Sequence, residues 1–138
     1  KLPRSLPKSL NEEEVESLLA APDIHQIIGM RDKAMLETLF SSGLRVSELI
    51  GLNISEICFK DEFIKVRGKG NKERLVPIGT DALKAIDIYI NQTRVHLKLQ
   101  KKFSDTVFIN HLGGSISRVS VFKIIKTLAA AAGKYPDQ

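Results

Sequence analysis

Apolar residues recur along the chain at two periods, and the switch between them separates helical stretches from extended ones. Asn11 is suited to cap a helix, with Glu14 three residues on as in a capping box, and Val15, Leu18 and Leu19 follow at helical spacing. Pro22 marks the exit. A second run, Met30–Ser42 with Ala34, Met35, Leu36, Leu39 and Phe40, predicts a helix stopped by a left-handed Gly43. A short helix over Arg45–Ile50 is closed by Gly51. The period then changes. Glu56–Phe59, Phe63–Arg67 and Arg74–Ile78 read as strands, joined by a tight turn at Asp61-Glu62 and by the glycine-rich loop Gly68–Lys72. Connections this short make the sheet antiparallel. Thr80 is placed to cap a helix bearing Leu83, Ile86 and Ile90, and Asn91–Lys102 continues as helix or loop. Val107-Phe108-Ile109 precedes a turn at His111-Leu112-Gly113-Gly114. Ser117 caps the last helix, with Val121, Ile124, Ile125, Leu128 and Ala132 as its stripe, Arg118, Lys123 and Lys126 largely off it, and Gly133 at its end. The expected fold class is α+β, mainly helical with a small three-stranded antiparallel sheet.

Composition narrows the picture. A chain of 138 residues suffices for one compact domain, and 43% hydrophobic with 27% charged residues is ordinary for a globular protein. The net charge of +5 and a pI of about 9.4 favour a polyanionic partner without demonstrating one. The single cysteine, Cys58, excludes an intrachain disulfide framework, fits a reducing cytoplasm and reads as a buried strand residue. No apolar run approaches the roughly 20 residues that span a bilayer, so no membrane insertion is expected. The start of the chain has no apolar segment of the signal-peptide kind. Residues 1–10, with Lys1, Arg4, Lys8 and two prolines, read as an extended linker whose basic groups either track a phosphate backbone or are simply solvated.

Three places carry candidate chemistry. The hairpin from Lys60 to Arg74 holds six basic residues against three acids around two glycines, which makes a cationic finger for a phosphate or groove, or else a solvated hairpin. Lys72 is followed by Glu73 rather than Ser or Thr, so the loop is no nucleotide-binding P-loop. Arg45 opens a helix whose other residues look buried, so a desolvated guanidinium there needs a partner. Glu48, on the same helix face, could be that partner in a structural pair; alternatively the guanidinium grips a phosphate with two parallel hydrogen bonds. The last helix offers Arg118, Lys123 and Lys126 to a DNA backbone or groove, or to water. His25, His96 and His111 are scattered without companion ligands, so no metal site is expected.

Two long strings add a resemblance. Leu39-Phe-Ser-Ser-Gly-Leu-Arg-Val-Ser-Glu-Leu-Ile-Gly-Leu52 resembles the first catalytic box of tyrosine recombinases, and Val66-Arg-Gly-Lys-Gly-Asn-Lys-Glu-Arg-Leu-Val-Pro-Ile-Gly79 resembles their β-hairpin box. Leu6-Pro-Lys-Ser-Leu-Asn-Glu-Glu-Glu-Val15 and Arg31-Asp-Lys-Ala-Met-Leu-Glu37 are similar to the Xer branch, the bacterial chromosome-dimer resolvases. The resemblance implies site-specific DNA recombination. Arg45 would grip the scissile phosphate, Glu48 would support it, and Lys69 would protonate the leaving 5′ oxygen. Arg67, Lys72, Arg118 and Lys123 would contact DNA. A tyrosine would attack the phosphate to form a 3′-phosphotyrosyl link, with no metal or other cofactor. The implied partners are double-stranded DNA and a partner recombinase in a tetrameric synapse.

The family's His-x-x-Arg box and its nucleophile are expected beyond the last helix, and neither Tyr89 nor Tyr135 matches the nucleophile's position. The chain therefore reads as a linker (1–10) followed by the N-terminal part of a catalytic domain (11–138), expected to be inactive alone. Phage or mobile-element integrases share this chemistry. A DNA-binding or protein-interaction module without catalysis is the competing class.

Overall fold

A computed structural model describes residues 10–132, with the backbone but not the side chain of Lys69. The expectations for the linker and for Gly133 and Tyr135 lie outside the described residues. Helix α1 (Glu12–Ala20) opens on the expected box: the Glu14 amide donates to Asn11 Oδ1 at 2.8 Å, and the Asn11 amide donates to Glu14 Oε1 at 3.1 Å. Helix α2 (Ile27–Ser42) begins a turn earlier than its apolar stripe suggests. That first turn overhangs the core, with Ile27 and Ile28 exposed, so burial periodicity does not report it. Gly29, which reads as a weak helix position, is required there, since a Cβ would lie 1.8 Å from the Asp23 carbonyl oxygen. Gly43 ends α2 in the left-handed region at φ 66°, as expected.

Helix α3 (Val46–Ile50) is a single turn. The sheet that follows is antiparallel in the order β1-β2-β3. Strand β2 (Phe63–Arg67) has the expected bounds, β3 is Glu73–Pro77, and β1 is only Ile57–Cys58 because Ile54–Glu56 winds into a 3₁₀ turn. Cys58 is half-buried rather than buried. Helix α4 (Thr80–Ile88) is capped by the backbone of Gly79; Thr80, expected as the cap, instead donates its hydroxyl to Glu62 at 2.9 Å. The chain then widens into a π turn (Tyr89–Thr93) and tightens into a 3₁₀ turn (Arg94–His96). Helix α5 (Arg118–Ala131) is capped by Ser117, whose hydroxyl oxygen accepts from the Ser120 amide.

The core joins the inner faces of these elements. Leu36, Leu39, Leu49, Ile64, Ile86, Phe108 and Val121 are all buried. Burying such side chains stabilises the fold by about 1.5–3 kcal/mol each. Tyr89 is fully buried, its ring stacked on Phe108 with centroids 5.6 Å apart, and its hydroxyl oxygen accepts from the Ile109 amide at 3.0 Å. The segment after the π turn is stitched back onto the turn that follows α3. Val107 donates to the Leu52 carbonyl, Ile54 to the Asp105 carbonyl, and both Asp105 carboxylate oxygens bind Ser55. Among the described residues, no helix is long and apolar enough to cross a membrane.

Candidate functional site

Arg45 occupies a position built to point outward. Leu44 and Val46 on either side are buried, and the extended backbone of Arg45 (φ −72°, ψ 152°) places alternate side chains on opposite sides of the chain. The Arg45 side chain is therefore exposed, and among the described residues its guanidinium has neither hydrogen bond nor ion pair. The expectation of a desolvated arginine paired to Glu48 is corrected here. Alternation at the start of α3, not burial along a helix, decides its exposure.

Glu48 has a different partner. Its Oε2 accepts from Arg74 Nη1 at 2.9 Å, and its Oε1 accepts from Arg74 Nη2 at 3.2 Å and from the Arg45 backbone amide at 2.9 Å. The carboxylate thus links the first turn of α3 to the hairpin 26 residues away. These bonds hold its pKa below the ordinary carboxylate value, the Arg74 hydrogen bonds contributing most, against a partial opposing effect of burial. Arg74 reaches α3 because of the sheet's register. It lies opposite Val66, so it shares the core-facing side with Ile64, Val66 and Val76 while sitting at that face's end.

Arg67, one residue before the loop, lies on the opposite face. Its Nε and Nη2 donate to Glu56 Oε2 at 3.0 and 2.9 Å. The two residues flanking the loop side of the hairpin are thus tied to acids on either side of Leu52, and a cleft of about 210 Å³ lies between hairpin and α3, lined by Ser47, Glu48, Glu56, Lys65 and Arg67. The loop itself is a 3₁₀ turn, Lys69–Asn71, in which Gly70 and Asn71 are left-handed (φ 73° and 61°), a conformation that glycine and asparagine tolerate. The side chain of Lys69 lies outside what the structure describes. Lys72 is exposed, and the Gly68 amide donates to the Lys72 carbonyl at 2.7 Å, closing the loop.

Helix α5 packs against α3. Arg118, Lys123 and Lys126 are exposed on it, as expected, and its first turn contains no acid. Between residues 94 and 132 the chain has seven basic residues and one acid, so this segment carries a net charge of +6 while the whole chain carries +5. Among the described residues no group of His, Cys, Asp and Glu could hold a metal ion. Tyr89 is withdrawn from solvent, and burial raises its pKa above the ordinary phenol value, both of which argue against a nucleophilic role.

Sequence reasoning missed the two buried arginines. Arg31 donates from Nε and Nη2 to Asp32 Oδ1 and from Nη1 to the Ile109 carbonyl. Arg94 binds the carbonyls of Phe103, Ser104 and Thr106. The adjacent Asp32 was the available signal for Arg31, whereas the backbone carbonyls that Arg31 and Arg94 also bind leave no side-chain pattern.

The phage integrase family matches the chain over residues 8–138. The chain belongs to that family. Tyrosine recombinase XerD of Proteus mirabilis is 47% identical over 96% of this chain and 42% of that protein. XerD of Vibrio cholerae is 44% identical over 96% of this chain and 44% of that protein. The chain thus spans less than half the length of these XerD relatives. A crystal structure of XerA recombinase superposes over the whole chain and 47% of its own, with a TM-score of 0.81 and 27% identity. These matches make the chain a tyrosine recombinase homologue of the Xer kind with the mainly helical, three-stranded fold described above.

Proposed function

We propose that the protein carrying this chain performs site-specific DNA recombination of the chromosome-dimer-resolving kind, and that Arg45, Lys69 and Glu48 belong to its phosphoryl-transfer site. The observation that carries this reading is Arg45: a guanidinium held outward between two core-anchored neighbours, unpartnered among the described residues, beside a hairpin tied to the same helix. Arg45 donates to the non-bridging oxygens of a DNA phosphate and stabilises the charge that builds as the phosphorus is attacked. A tyrosine hydroxyl supplied by neither Tyr89 nor Tyr135 forms the new O–P bond and releases its proton to solvent. The bond from phosphorus to the 5′ oxygen breaks, and Lys69 gives that oxygen its proton. The 3′-phosphotyrosyl ester conserves the bond for rejoining, when an incoming 5′ hydroxyl reverses the step.

Lys72, Arg118 and Lys123 serve as backbone contacts on double-stranded DNA, and Arg67 adds charge at the loop end of the hairpin while bonded to Glu56. The functional unit joins a partner recombinase in a tetrameric synapse and works in the cytoplasm, where the chromosome lies. This 138-residue chain by itself binds duplex DNA without cleaving it.

The test has two readouts. Duplex affinity should fall as salt rises, since each neutralised phosphate releases counterions. A nicked suicide substrate should yield no covalent adduct with this chain. Absence of duplex binding at low salt, or a phosphotyrosine at Tyr89 or Tyr135, contradicts the proposal.

A further inference from the structure

We infer that Arg74 is a positioning residue: through the Glu48 carboxylate it sets the hairpin loop in register with Arg45. This rests on the phosphoryl-transfer reading above and extends it to a residue outside the proposed chemistry. One carboxylate collects the bonds that matter. Oε1 accepts from both the Arg45 amide and Arg74 Nη2, while Oε2 accepts from Arg74 Nη1. One group therefore connects the residue proposed to grip phosphate with the first-turn end of the strand that leaves the Lys69 loop.

The fork is two-pronged, which fixes orientation as well as distance, and a lysine in place of Arg74 could restore only one prong. Glu48 is largely shielded, with its side chain 10% exposed, whereas Arg74 is 50% exposed. An exposed partner of that kind contributes little to global stability. The arrangement instead suits a latch that decides where a loop sits. The same bonds hold the Glu48 pKa below its ordinary value, and the carboxylate is ionised at neutral pH, where the latch is closed. No other side chain among the described residues bridges α3 to β3 by hydrogen bonds.

Two measurements on the full chain test the inference. The first is hydrogen exchange of the Arg45 amide by NMR. Arg74→Ala should accelerate it about three- to tenfold, the scale of one exposed ion pair, with Arg74→Lys between the two and the sheet's own amides unchanged. The second is duplex affinity, where the sign discriminates. Removing a negative charge near DNA should tighten binding if Glu48 is only a surface acid. If it positions the site, Glu48→Gln should weaken binding two- to fivefold, and the effect of Arg45→Ala should shrink in an Arg74→Ala background, as coupled residues require. Unchanged Arg45 exchange in Arg74→Ala overturns the inference, as does tighter binding by Glu48→Gln. A chain that binds no duplex DNA removes the proposed function, while the exchange result still decides whether the latch exists.

Discussion

The arginines fall into two groups that resemble each other in sequence and differ in physical state. Arg31 and Arg94 are buried and their donors are used: Arg31 by Asp32 and the Ile109 carbonyl, Arg94 by three carbonyls of the loop at 103–106. Arg45 is exposed and unpartnered among the described residues, and Arg67 and Arg74 are half-exposed with one acid each. A buried guanidinium must satisfy its donors internally because desolvation would otherwise cost several kcal/mol. An exposed one held by its neighbours' packing keeps its donors for a ligand. The contrast separates two arginines that hold the fold from Arg45, whose donors are left for a ligand.

The largest effect should come from the first group. Arg31→Ala leaves Asp32 buried without its counter-charge and should cost about 3–5 kcal/mol in denaturant unfolding. Arg94→Ala strands several carbonyls and should cost about 2–3 kcal/mol. Either change leaving stability untouched would dissolve the distinction. Arg45→Ala should move stability by no more than about 0.5 kcal/mol. It should still weaken duplex binding and lower the slope of log affinity against log salt by about one. A stability loss comparable to that of Arg31→Ala would place Arg45 in the structural group.

Acid unfolding sharpens the same contrast, with opposite signs for two carboxyls. The Glu48 pKa is held below 4.5 by Arg74 first of all, so its stabilisation is present above that value and is lost as pH falls through the lowered pKa. Glu48→Gln should therefore flatten the acid limb of the stability curve. Asp32 behaves in reverse: burial raises its pKa above 3.8, outweighing the opposing effect of Arg31. The folded state then holds a proton the unfolded state has released, so this group's contribution declines as pH rises through that window. Stability at several pH values, wild type against each variant, measures both slopes, and equal signs would contradict the assignment.

Much of the scaffold was legible because its signals are local. The Asn11 and Ser117 caps, the Gly43 stop and the alternation of β2 depend on residues within a few positions of one another. The early start of α2 was hidden because Ile27 and Ile28 are exposed, which breaks the link between apolarity and burial. Strand β1 was overread because Glu56 is drawn into a 3₁₀ turn, its carboxylate accepting from the Asn53 amide. At the site, Arg45 and Glu48 were recognisable by type and spacing. Their actual partnership was not, since Arg74 reaches Glu48 only after the hairpin has folded back across 26 residues. Arg94 was overlooked because its acceptors are backbone carbonyls, which no side-chain pattern reveals, and Arg31 because its burial beside the adjacent Asp32 is set by packing rather than by local sequence.

The central claim is that Arg45 and Lys69 act on one DNA phosphate, and a double-mutant cycle on duplex affinity tests it most directly. With Arg45→Ala, Lys69→Ala and the double variant measured at one salt concentration, convergence predicts a coupling of about 0.5–3 kcal/mol, the double loss falling short of the sum. Losses that simply add would contradict it, because two cations serving separate phosphates have nothing to share.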